Sequence, residues 1–352
     1  MLAVAEITDP RQLAEYRLLW RSLYGRTPNA SFVQTREWLE CYCRRYGHED
    51  RLRTLVVMAV GRPIGIVPLV IRPVPTRLGT MRALTYPLRD RAAFMGPVGP
   101  NPTATLFGAL KHLAVAPRDW DLIDLRSIDA WRADRGRTAN AFRLAGLPAR
   151  ARSWSPVSIV SCAELDVARQ FRLRNDLHQA ERELTRCGRW EIMSSTADSF
   201  AGEPARLWEL IAPLLADRGE AEANFLLDCF LTAHDLELGS LKVLRLNGVI
   251  AGWILTTCNG ETLEPFAAEF TGEQAARVRR VLVGRMLVAG IDAGCARAVF
   301  GPRHLALADD WQPLRTESLR WTHFARFGAR AQLLRWGQRR PPILVPPTVA
   351  TA

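Results

Sequence analysis

The chain has 352 residues, 48% hydrophobic and 24% charged, a balance that belongs to a folded protein and excludes a disordered or low-complexity one. Its net charge is +11, yet only Lys111 and Lys242 are lysines, and the arginines form no stripe interleaved with aromatics, so charge alone assigns no nucleic-acid partner. No apolar run approaches the roughly 20 residues of a membrane span, the N-terminus has no basic segment leading into a long apolar run, and the seven cysteines show neither a C-x-x-C pair nor zinc spacing; the expectation is a cytoplasmic protein with free thiols and no metal.

Residues 10–24 read as a helix with Leu13, Tyr16, Leu19 and Trp20 on one face, and 31–46 as a second helix stopped by Gly47. A hairpin is expected over 52–71, turning at Gly61-Arg62-Pro63. The stretch that follows is rich in Pro, Gly and Arg, including YPLRD at 86–90 and GPVGP at 96–100, and reads as a loop that lines a cleft or makes a rigid connection. A helix over 103–115 with Pro102 in its first turn, a strand at 120–125, a helix at 134–145 and a strand at 156–161 complete this half. The second half opens with an arginine-rich amphipathic helix, 169–187. Its apolar stripe either docks on the rest of the protein or lies on a membrane surface. A strand at 189–194, helices at 203–216 and 224–238, a hairpin over 241–258 turning at Asn247-Gly248, a strand at 262–270, a helix at 277–293 and a strand at 296–301 follow.

Two stretches say the same thing. LVVMAVGRPIGI at 55–66 and LKVLRLNGVIAG at 241–252 are each strand, tight turn and strand, and setting Ile64 against Ile250 gives an offset of 186 residues. Helix, hairpin, helix and strand then recur in the same order. This predicts an α/β protein of two tandem domains, 1–153 and 154–336, with a Pro-rich tail at 337–352. Each sheet should be mixed but mostly antiparallel and flanked by helices, because hairpins are antiparallel and strand–helix–strand returns are parallel.

Particular phrases carry a family resemblance: FVQTREWLECY at 32–42, GRPIGIVPL at 61–69, LTYPLRD at 84–90, GPVGP at 96–100, WDLIDLR at 120–126 and RNDLHQAEREL at 174–184. With the repeated element order they resemble the tandem GNAT acyltransferase-like proteins of the CelD-like branch, related to the FemAB aminoacyltransferases, over about 15–335. The resemblance implies acyl transfer from acetyl-CoA or another acyl-CoA to an amine or hydroxyl acceptor, such as a small molecule or a glycan or lipid of polysaccharide or cell-envelope metabolism. It places a diverged, cleft-shaping copy first and the acyl-CoA half second. Two alternatives stand beside it: a catalytically inactive binding protein on the same fold, and FemAB-like aminoacyl transfer using tRNA.

In that family the cofactor pyrophosphate lies on the N-terminus of the helix after the central strand, where unpaired N–H groups and the helix dipole favour anions. A Pro-Gly pair usually stands there; this sequence has Val278-Arg279. Arg277, Arg279 and Arg280 are therefore the expected cofactor-binding groups. After the last strand the family shows G-P-G-D, then Y-K, then W. Here Gly301-Pro302 and Trp311 remain, and Leu307-Ala308 replaces Tyr-Lys. His304 in that loop is the candidate acid for a leaving thiolate. Of the carboxylates near the central strand, Glu269 is the expected base. Strand parity puts Glu261 and Glu269 on one face and Glu264 on the other unless a bulge intervenes.

Overall fold

The computed structural model describes residues 2–162, 167–195, 204–326 and 328–337. The strands are β1 (Leu2–Ile7), β2 (Arg51–Leu52), β3 (Thr54–Ala59), β4 (Arg62–Val67), β5 (Val70–Thr76), β6 (Gly79–Thr85), β7 (Leu122–Ile128), β8 (Arg150–Ser161), β9 (Trp190–Ser194), β10 (Gly239–Leu246), β11 (Val249–Asn259), β12 (Thr262–Phe270), β13 (Arg297–Phe300) and β14 (Leu314–Phe324). The α-helices are α1 (Arg17–Tyr24), α2 (Arg36–Tyr46), α3 (Pro102–Val115), α4 (Arg137–Leu144), α5 (Val167–Thr185), α6 (Pro204–Ile211), α7 (Glu220–Asp235), α8 (Ala275–Asp292) and α9 (Ala329–Gly337). None of them is long and apolar enough to cross a membrane.

Each half builds an antiparallel hairpin, a helix and a parallel return. β6–α3–β7 and β12–α8–β13 are the two returns, and in each the parallel strands bond over only two residue pairs before parting. The halves do not own separate sheets. Eleven strands run in one sheet, in the order β2-β5-β6-β7-β14-β8-β13-β12-β11-β10-β9, and β1, β3 and β4 form a second sheet of three. The closing strands are exchanged. β14, from the end of the chain, bonds β7 of the first half, and β8, from the end of the first half, bonds β13 of the second. β8 and β14 also pair with each other along most of their length, and position 153/154 lies inside β8.

The repeat is real but its register is 187, one residue from the apolar match. Val60-Gly61 and Asn247-Gly248 are the equivalent turns, with φ of 50° and 73° in one and 52° and 82° in the other, the two-positive-φ turn of a tight hairpin. In both hairpins one extra residue bulges, Ile64 in β4 and Ala251 in β11, which sets Gly65 against Gly252. These two glycines have a shared job. A Cβ on Gly65 would lie 2.7 Å from the Val98 carbonyl oxygen and overlap Thr105, the fourth residue of α3. One on Gly252 would lie 2.8 Å from Val278, the fourth residue of α8. Each lets a helix start press against its hairpin. Gly65→Ala is expected to cost about 1–3 kcal/mol in urea unfolding, and Thr105→Ala to restore only part of it, because the Val98 backbone stays in the way.

β1, the β5–β6 hairpin, β14 and α9 escape the sequence reading. β5 and β6 form a hairpin where a loop is expected, and β5 carries Pro73 and Pro75. Only Arg51 and Leu52 pair with β5 on its outer side, at Ile71 and Val70, so beyond Ile71 it is an edge strand. Proline is tolerated there because its missing N–H faces solvent. β14 follows the last expected strand and alternates poorly, because register shifts around Leu319 interrupt its pairing with both β7 and β8.

The amphipathic helix docks. Leu173, Leu177, Ala180 and Leu184 of α5 pack with Val281, Leu282, Met286 and Leu287 of α8 on one face of the second half's strands. The opposite face, carrying Trp253, Leu255 and Phe266, joins the first half's core. Phe266 meets Phe32 and Trp38 edge-on, with ring centroids 5.9 and 5.8 Å apart.

Candidate active site

β12 contains the bulge on which strand parity turned. Thr256 of β11 faces Pro265 and Leu255 faces Ala267, so Phe266 is the unpaired extra residue. One inserted residue reverses parity downstream. Glu264 and Glu269, opposite Thr257 and Trp253, therefore share the face turned toward the first half.

There Glu264 meets a cavity between the halves. Its walls come from 27–34, the loop at 94–99, the short helical turn Ala130–Asp134, α4 and the start of β12 and β13, and it encloses about 70 Å³. That is room for a few waters or the reacting end of a small molecule. The expected cleft-lining loop is in place: Gln34 Nε2 donates to the Gly96 and Pro97 carbonyls, both at 3.2 Å, and Gln34 Oε1 accepts from Ser31 N at 3.0 Å. On the far wall Arg297 Nη1 donates to Asp129 Oδ2 at 3.1 Å, a buried ion pair between β13 and the end of β7. Asp129 also caps the turn after it, accepting from Trp131 N and Arg132 N. Asp134 accepts from Thr138 N at 2.8 Å, and burial raises its pKa.

Glu264 itself is 7% exposed and makes no hydrogen bond among the described residues. Burial pushes its carboxyl up to about 7, against a weaker downward pull from Arg297. An acid so placed is half ionised near neutrality, the condition for accepting a proton and returning it. The Ser31 hydroxyl on the cavity wall is also buried without a partner. The Tyr24 phenol is buried and unpartnered, and burial, reinforced by the nearby Glu264 charge, raises its pKa.

Solved structures with this architecture exist. FemX superposes with a TM-score of 0.62 over 96% of this chain and 100% of that one, at 12% identity. L-PGS from Bacillus licheniformis gives 0.51 over 94% and 96%, at 10% identity. The C-terminal domain (DUF2156) of a putative lysylphosphatidylglycerol synthetase from Agrobacterium fabrum gives 0.50 over 93% and 96%, at 12% identity. The chain has a tandem GNAT-like fold. No protein-family model matches the sequence, and no curated protein matches it.

The GNAT-like frame locates the residues singled out from sequence. Arg277, Arg279 and Arg280 do stand on the first turns of α8, each with a side-chain partner: Gln274, Asp310 at 3.4 Å and Glu183 at 3.5 Å respectively. An incoming pyrophosphate would compete with those contacts. Glu269 forms a partly exposed ion pair with Arg218 at 2.8 Å. By strand rise it lies about 13 Å from Glu264.

His304 bridges the parting of β12 and β13. Parallel pairing ends at Leu263 and Ala298, and beyond it the imidazole Nε2–H donates to the Phe266 carbonyl at 3.1 Å. Burial drops its pKa to about 4, so the ring is neutral at physiological pH. Ala92 and Ala93 press against Gly301 at the same parting. The structure thus joins Glu264, Asp129 and Arg297 at one cavity and sets Glu269 and the α8 arginines apart from it. Asp129, Asp134 and Arg297 carry no motif of their own in the sequence; the nearest signal is WDLIDLR, which ends three residues before Asp129.

Proposed function

We propose that this protein is an acyltransferase whose acceptor, an amine or hydroxyl, reacts in the junction cavity with Glu264 as the base. Glu264 takes the proton from the acceptor as it attacks the acyl carbonyl. The tetrahedral intermediate collapses, and the same carboxyl returns the proton to the leaving group. No protein nucleophile is needed. The observation that carries the reading is the unpaired, buried Glu264 in a cavity large enough for a reacting group. The donor is an acyl-CoA in this reading, as the fold suggests.

Calorimetry with acetyl-CoA and longer acyl-CoAs tests it. Wild type and Glu264→Gln are expected to bind the donor alike, while only wild type forms product with an amine acceptor, read by mass spectrometry. Absence of both binding heat and thermal stabilisation with every acyl-CoA tried would sink the acyl-CoA donor.

A second reading, aminoacyl transfer from tRNA, is favoured by the α8 arginines already holding side-chain partners that an acyl-CoA pyrophosphate would have to displace. It requires tRNA binding that weakens steeply with salt, which a gel shift at two salt concentrations would reveal or exclude. An inactive binding protein would bind a donor or acceptor and turn over neither.

A further inference from the structure

Two thiols stand together on the face of β11 and β12 opposite Glu264, in the core that α5 and α8 cover. Cys258 is the penultimate residue of β11, and Cys295 lies between α8 and β13. Their sulfurs are 2.9 Å apart; closing by less than about 1 Å would bring them to the ~2.05 Å of a bond. Cys258 is half-buried and Cys295 is 1% exposed. The hydrogen bond from the Cys258 thiol holds Cys295 down to about 7, which gives it thiolate character near neutrality.

Both cysteines adjoin residues that frame the cavity. Asn259, next to Cys258, donates through Nδ2 to the Ala30 carbonyl at 3.1 Å and so holds the 27–34 wall. Arg297, two residues past Cys295, carries the ion pair to Asp129. Ala296 N and Arg297 N both donate to the Glu261 carbonyl, at 2.8 and 3.1 Å. A bond between Cys258 and Cys295 would therefore fasten the end of β11 to the segment entering β13, across the start of β12, where β12 and β13 still bond at two residue pairs.

We propose that Cys258 and Cys295 form a redox pair that closes to a disulfide under hydrogen peroxide and ties the end of β11 to the segment entering β13, behind the strands that carry Glu264 and Arg297. The Cys295 thiolate attacks a peroxide oxygen, becomes a sulfenic acid and releases hydroxide, which takes up a proton. The Cys258 thiol loses its proton and attacks the sulfenic sulfur, forming the S–S bond and expelling water. Two thiols give up two electrons and two protons, and the peroxide becomes two waters. The proposal does not depend on the acyl-transfer reading, and its test uses no activity readout.

The test treats the reduced full-length chain with a small excess of peroxide, then denatures it, counts thiols and maps peptides without reductant. Two of the seven thiols should disappear, with one cross-linked peptide joining 258 to 295 and reversal by dithiothreitol. The melting temperature should rise by roughly 5 °C, because the bond closes a long loop. Cys258→Ser and Cys295→Ser should each abolish the cross-link, and Cys162→Ser should keep it. Retention of all seven thiols, a cross-link mapped to Cys162 or between Cys41 and Cys229, or sulfinic acid on a single cysteine would overturn the proposal. The mapping is made on wild type, so a variant that fails to fold leaves the test intact.

Discussion

Glu264→Gln is expected to stabilise the protein by about 3 kcal/mol at pH 8 while lowering turnover about 10²–10⁴-fold. Burial raises this carboxyl from 4.5 to about 7 in the folded chain. Between those values the folded state keeps a proton that the unfolded state has lost. Stability therefore falls as pH rises through that window, and above it the full cost of burying the charge is present. Glutamine resembles the neutral acid and carries no such cost. The variant should match wild type near pH 4, where the carboxyl is mostly protonated in both states, and exceed it at pH 8. Urea unfolding at the two pH values checks this. In activity, the wild-type kcat/KM should climb through an apparent pKa near 7, and the variant's small remaining rate should lack that limb. A variant no more stable at pH 8 than wild type would mean that Glu264 already has a partner for its charge.

Asp124→Asn should be the most damaging substitution away from the cavity, costing about 3–5 kcal/mol. Asp124 is fully buried on β7. Its carboxylate accepts from Arg126 Nε at 2.6 Å, from Arg320 Nε and Nη2 at 2.5 and 3.0 Å, and from Thr322 Oγ1 at 3.3 Å. Arg320 and Thr322 belong to β14, so this one carboxylate joins β7 to its exchanged neighbour. Both guanidiniums also lie over Trp154 of β8, at 4.4 and 4.9 Å from its ring centroids. Asparagine would leave two cations side by side without their counter-charge. Burial already lowers the pKa of Arg126, and Arg320 and Arg72 add to that pull. Urea unfolding should show a reduced midpoint. Asp121→Asn, one strand position outside β7 with its carboxylate partly exposed, should lose less than about 1 kcal/mol.

Local chemistry was the legible part of the fold. Asn247-Gly248 announces its hairpin, Pro102 the start of α3, and the apolar stripe of α5 its docking. Partners distant in sequence were not legible. Pro73 and Pro75 disqualify a strand until one knows that β5 is an edge, and nothing in residues 314–324 says that their hydrogen bonds go to residues near 125 and 155. At the site, one inserted residue decided the outcome. Periodicity put Glu264 on the far face from Glu269, and the Phe266 bulge turned both toward the first half. A bulge depends on how two strands fit, and the Pro265-Phe266 pair gave no sign of it. The one-residue error in the repeat has a different origin: matching the apolar Ile64 and Ile250 hid that Gly65 and Gly252 are the constrained, equivalent positions.

The exchange of β8 and β14 sets the order in which the protein can be finished. As the chain is synthesised from its N-terminus, β7 exists long before β14, almost two hundred residues later. Until residues 314–324 emerge, β7 waits with an open edge and Asp124 without Arg320, a template for wrong pairing. A chain cut between the repeats would leave each piece holding a strand that the other needs. Although its sequence repeats, the protein must be completed as one folding unit.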